Sequence, residues 1–134
     1  MAGVSGAELD YVPGPGRWTI RQVMAHLADS EMVGADRLRR VIAEENPTIM
    51  SYDEKAWAAN LDYDRRNPAE DLELFRRTRA LNARLVGSLA AGAFERVGTH
   101  SERGRLTLLD LVQIYADHAE GHARQIRANR EAFR

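Results

Sequence analysis

The sequence predicts an all-α fold, a single up-and-down helical bundle with one long crossover, and three observations carry that reading. Three long stretches place apolar residues at alternating spacings of three and four. Each stretch opens on a side-chain cap. No segment reads as a confident strand, and none repeats another. At 134 residues the chain suits one domain spanning 1–134, long enough to bury a core without staples.

Residues 1–17 hold Gly3, Gly6, Gly14, Gly16, Pro13 and Pro15, a density of breakers that predicts a lead-in loop. Thr19 and Gln22 have the spacing of a capping box, so a helix starts at Ile20. Ile20, Met24, Leu27, Gly34, Leu38 and Val41 form its inner stripe, with Arg21, Asp29, Asp36 and Arg40 elsewhere, and Asn46-Pro47 stop it. The crossover to Asn67 is irregular, with one short helix over Lys55–Ala59 capped by Ser51 and Glu54 and presenting Trp57. Asn67, Pro68 and Glu70 then start a second long helix that runs to about Leu89 and buries Phe75, Leu81, Leu85 and Leu89. Gly98 to Gly104 reads as a Gly-containing loop. Thr107 and Asp110 cap the last helix, Leu108 to near Arg130, with Leu108, Leu111, Val112, Tyr115, Ala119 and Ile126 facing inward.

Composition excludes several classes of function. With no cysteine there is no disulfide, thiolate ligand or Cys nucleophile, so any metal falls to His, Asp or Glu. A formal charge of -1 argues against strong attraction to nucleic acid or an anionic membrane. No window approaches the ~20 apolar residues of a membrane span, and no secretory signal opens the chain. The expected location is the cytoplasm. The Arg76, Arg77 and Arg79 run is most simply a solvated helix face, with an acidic cofactor as the alternative use.

The chemistry concentrates in histidine. His118 and His122 are four apart, so on a helix both rings share one face and one divalent ion can bridge them. They continue the stripe of Leu108, Leu111 and Tyr115, where unsatisfied imidazoles are costly. His26 lies on the inner flank of the first long helix, and a bundle can bring it against that pair to give three neutral nitrogen ligands. The alternative is that His26 bonds Asp29 or Ser30 one turn away. Three nitrogens suit Zn or Ni, with Co or Fe also compatible, and leave a coordination position open. Tyr115 and Gln125 share the stripe and are candidates for metal support or substrate contact, Tyr115 also as a catalytic group. Glu31 interrupts the apolar series, which calls for an Arg partner such as Arg79 or a direct role as ligand or base. His100, in the Gly-containing loop, is expected to face solvent, and Trp18 and Trp57 to anchor packing, Trp57 with a lesser claim to a pocket wall.

The stretch Trp18-Thr19-Ile20-Arg21-Gln22-Val23-Met24-Ala25-His26-Leu27-Ala28-Asp29-Ser30-Glu31, followed by Thr107-Leu108 and then Asp117-His118-Ala119-Glu120-Gly121-His122 to Gln125-Ile126, resembles the DinB/YfiT-like family. The resemblance covers most of the chain from Leu9 onward. It implies a four-helix bundle, often dimeric, with His26, His118 and His122 as metal ligands. It also implies one of several activities: S-transfer using bacillithiol, isomerisation using mycothiol, or the hydrolysis for which other members are provisionally named. Thiol transfer is the preferred expectation, hydrolysis the second, and a non-catalytic helical binding or stress-response module the third. Members usually carry a further long helix before the segment matching Trp18, whereas here the Gly/Pro-rich lead-in stands there. That departure predicts an exposed apolar face, covered in a homodimer or by chain further upstream.

Overall fold

In the computed structural model, which describes residues 3–134, three long helices pack around one core and a small sheet closes one end. The order is α1 (Gly6–Leu9), α2 (Ile20–Ala43), β1 (Thr48–Ile49), α3 (Glu54–Asn60), α4 (Pro68–Gly87), a 3-10 turn (Ala91–Glu95), β2 (Val97–His100), β3 (Gly104–Thr107) and α5 (Leu108–Phe133). Met1 and Ala2 of the predicted lead-in loop lie outside the described residues. No helix among the described residues is long and apolar enough to cross a membrane.

The caps read for the three long helices form as predicted. Thr19 Oγ1 accepts from the Gln22 amide at 3.1 Å while Gln22 Oε1 accepts from the Thr19 amide at 2.9 Å, and Thr107 and Asp110 repeat the exchange at α5. Asn67 caps α4 with Pro68 at its first position. α2 threads two apolar clusters. Ile20, Val23, Met24 and Leu27 pack with Trp18, Phe75 and Ile126 in one half, and Leu38 and Val41 pack with Ile49, Leu108 and Leu111 in the other. Each such side chain contributes about 1.5–3 kcal/mol on leaving water. Between the clusters α2 carries buried polar residues, and the candidate site lies at that level.

The lead-in carries one short helix rather than being a loop throughout. Ser5 caps α1, and Glu8 is buried against Arg130 at 2.8 Å, which ties the segment to α5. Asp10 pairs with Arg21 of α2 at 2.7 Å.

The expectation of no strands is overturned. β2 pairs antiparallel with β3 and parallel with β1, in register Thr48↔Thr99 and Ile49↔His100. Four-residue strands carry too little alternation to announce themselves, and pairing with the crossover is what creates them. Gly98 permits this, since a Cβ there would stand 2.7 Å from Ile49 Cδ1. The sheet also takes Ser51 away from its predicted capping role, because its amide bonds Ser101 Oγ at 3.0 Å, and Asp53 caps α3 instead.

On α4 the helix ends at Gly87 rather than near Leu89, with the Ser88 amide returning to the Arg84 carbonyl. Leu81 is 53% exposed, contrary to the predicted stripe. The inner face at that level belongs to Asn82, whose amide reaches Glu31. Asp29, read as outside the inner stripe of α2, is buried, for Tyr63 donates to it at 2.8 Å and Arg66 bridges it to Asp71. A groove of about 580 Å³ lies between α2, α4 and α5, and Met24 and Leu27 at its floor are already buried, with Leu72, Phe75 and Ile126 half-buried beside them.

Candidate metal centre

His26 projects from the buried face of α2 and His118 and His122 from successive turns of α5, and the packing of these helices brings the three rings to one point. His26 Nε2 lies 2.9 Å from His118 Nε2, which lies 3.1 Å from His122 Nε2. One nitrogen from each ring falls within 4.8 Å of the others, so the three could hold one metal ion. His26 is 1% exposed, and the Trp18 ring stacks beside it at 5.0 Å between centroids. Asn129 of α5 donates to the Trp18 carbonyl at 2.9 Å, which fixes that cover.

The supporting contacts set the tautomers. Gln125 Oε1 lies 2.7 Å from His122 Nδ1, so Nδ1 carries the proton and Nε2 turns a lone pair to the centre. A proton on the shared His118 Nε2 serves one neighbour and leaves the other contact as lone pair against lone pair. A cation accepts from all three rings, and His26 Nδ1, buried without a partner, is free to hold its proton. Burial, then the neighbouring histidines, pushes His26 down to about 3. Burial and His122 push His118 down to about 4. Both are neutral near pH 7, the state in which imidazole ligates. The donor set therefore fits a divalent transition metal.

The predicted alternative for His26, a bond to Asp29 or Ser30, does not occur, since Nε2 turns to His118, Nδ1 meets no partner, and Asp29 is occupied by Tyr63 and Arg66. Glu31 is buried as predicted, and Arg79 is its partner at 2.8 and 2.9 Å, with Asn82 donating at 3.2 Å. Both carboxylate oxygens are engaged, so its direct role as ligand or base has no support in the geometry, and it acts by holding α2 to α4. Arg76 and Arg77 face solvent, the latter on Glu73, while Arg79 turns inward.

Tyr115 stands beside the triad, its ring centroid 6.5 Å from that of His118, and its hydroxyl accepts from Arg37 at 3.1 Å. Gly34 makes room for it, because a Cβ there would meet Tyr115 Cε1 at 2.7 Å. Next to His118 opens a cavity of about 180 Å³ lined by Ser30, Arg37, Tyr52, His100, Arg103 and Tyr115, among others. His100 is thus a correction. It is buried on β2, not solvent-facing, because the strand pairing turns it inward. Trp57 is not a wall of this cavity but backs Tyr52, ring to ring at 4.4 Å.

Arg37 and Tyr52 were not singled out by the sequence reading. A signal existed for Arg37: His26, Ser30, Gly34 and Arg37 follow at spacings of four, four and three, one helical face. Tyr52, on the irregular crossover, had none.

The chain is similar to known proteins over most of its length. The model of the DinB superfamily matches residues 1–126. A provisionally named metal-dependent hydrolase of Oceanobacillus iheyensis is 38% identical over 92% of this chain and 71% of its own. YfiT of Bacillus subtilis, provisionally named in the same way, is 32% identical over 92% of this chain and 70% of its own. The solved structure of YfiT, described as a four-helix bundle of unusual topology, superposes with a TM-score of 0.90 at 31% identity, covering 96% of this chain and 74% of that one.

Proposed function

The chain belongs to the DinB superfamily, and from that premise we propose that it is a metal-dependent enzyme in which His26, His118 and His122 hold one divalent ion, Zn or Ni first and Co or Fe next. The convergence of three imidazole nitrogens beside an open cavity carries the reading. Bound there, a divalent ion supplies Lewis acidity that lowers the pKa of whatever fills its remaining position. The chain's residues do the rest. Gln125 orients His122, Trp18 keeps water from the far side of His26, and Tyr115 sets a hydroxyl, pinned by Arg37, at the cavity wall.

The activated nucleophile is water in the reading that the relatives' names favour, and a low-molecular-weight thiol such as bacillithiol or mycothiol in the reading that the family resemblance favours. Elemental analysis of tag-free protein purified without chelating resin tests the premise. Near-stoichiometric transition metal, lost in His122→Ala, is expected, and its absence from both proteins after reconstitution would sink the enzyme. Metal-dependent turnover on ester and amide panels, with and without thiol, separates hydrolysis from transfer. We also infer a homodimer that covers the half-buried groove residues Leu72, Phe75 and Ile126, and light scattering showing a stable monomer would refute it.

A further inference from the structure

Arg37 differs from the other half-buried arginines. Arg21, Arg66, Arg79, Arg96 and Arg130 each reach a carboxylate, at 2.7, 2.6, 2.8, 3.7 and 2.8 Å. Among the described residues Arg37 reaches none. It donates to the Tyr115 hydroxyl and the Met50 carbonyl, both neutral, and lies 5.8 Å from the centroid of the Tyr52 ring. Two of its five N–H groups are used and three remain. A half-buried guanidinium without an anion keeps an uncompensated charge, and this one lines the cavity that touches His118.

The neighbouring wall adds donors. His100 Nδ1 accepts from the amides of Glu102 and Arg103, both at 3.1 Å, so the ring proton sits on Nε2 as its remaining donor. Tyr52 Oη is buried near the Ser30 side chain, without a well-formed hydrogen bond to it. Glu54 and Glu102 also line the cavity, and both are exposed, so water screens their charge, as it does that of Arg103.

We infer that Arg37, His100 and Tyr52 form an oxyanion subsite beside the metal centre, so that the substrate is a small molecule bearing a carboxylate a few atoms from its reacting group. The planar fork of Arg37 matches a carboxylate, and about 180 Å³ admits a compact ligand. This inference rests on the metal reading above for the position of the reacting group, and on the wall alone for the carboxylate.

The test titrates cobalt-loaded protein with 3-mercaptopropionate and with its neutral amide, following the sulfur-to-cobalt absorption band. The carboxylate is expected to bind about tenfold or more tightly than the amide, the scale of a hydrogen bond to a charged group. Arg37→Gln is expected to erase that preference, read as the ratio of acid to amide affinity at matched cobalt loading. Tyr52→Phe, which removes a hydroxyl with no well-formed protein hydrogen bond and keeps the ring against Trp57, reduces the preference. The metal-free protein, titrated with the same pair and followed at the Arg37 Nε–H resonance, responds to the carboxylate alone. Equal affinity for acid and amide in wild type, or an undiminished preference in both variants, overturns the subsite. Failure to retain cobalt with a surviving Arg37 response overturns the metal reading and leaves the subsite standing.

Discussion

Two polar clusters sit buried on α2 within three turns of each other, and they are built on opposite principles. Around Asp29 and Glu31 each carboxylate meets an arginine within the chain: Tyr63 and Arg66 close on Asp29, Arg79 and Asn82 on Glu31. Around His26 and Arg37 the chain leaves groups unanswered. Three nitrogens converge with too few protons, and a guanidinium meets only neutral oxygens. The closed cluster fixes the helices, and the open one is where an external ion and ligand find their partners. The difference teaches that burial alone does not mark a functional group, whereas an unmet valence does.

The closed cluster should break hardest. Arg79→Ala strands the Glu31 carboxylate, which is 4% exposed, and about 3–5 kcal/mol of stability should be lost in urea unfolding. A loss under about 1 kcal/mol, within the range of a surface pair, would show that the pair is not the clamp described.

In the open cluster the cost should fall on binding instead of folding. Gln125→Ala removes the bond that orients His122, and metal affinity should drop about 10- to 100-fold with metal-free stability little changed. Competition against a chromophoric chelator reads it, and an unchanged affinity would mean that His122 does not ligate.

Gly34→Ala tests the seam between the clusters. The new Cβ at 2.7 Å from Tyr115 Cε1 overpacks by about 1–3 kcal/mol, against about 1 kcal/mol gained from helix preference. A small net loss is expected, with a displaced Tyr115 seen as a shifted ring resonance. A net gain in stability with that resonance unmoved would show that the contact is loose.

The smallest effect concerns pH at the sheet. Burial, with Arg37 and Arg103, lowers the His100 pKa below its ordinary value of 6.5. Folding therefore favours the neutral ring, so its contribution is full above that ordinary value and declines as pH falls below it. A protonated Nδ1 would confront the Glu102 and Arg103 amides it now accepts from. Amide exchange at those two residues, corrected for intrinsic rate, should quicken as pH drops from about 8 to about 5, and uniform protection across that range would contradict the assignment.

The sequence by itself determined the helices and the identity of the metal-centre candidates. Caps at Thr19, Asn67 and Thr107 and the three-four spacing are local signals, enforced by neighbours one turn away, and they start α2, α4 and α5 at the residues read. The pair His118 and His122 is local in the same sense. Tertiary structure decided what depends on partners distant in sequence. β2 exists because the crossover strand Thr48–Ile49 lies beside it, and that pairing turned His100 inward. Asp29 and Asn82 became core residues because Arg66, Tyr63 and Glu31 were there to satisfy them. The openness of the Arg37 wall is of the same kind. A missing counter-charge is a property of everything packed around a side chain, and no spacing along one chain segment encodes it.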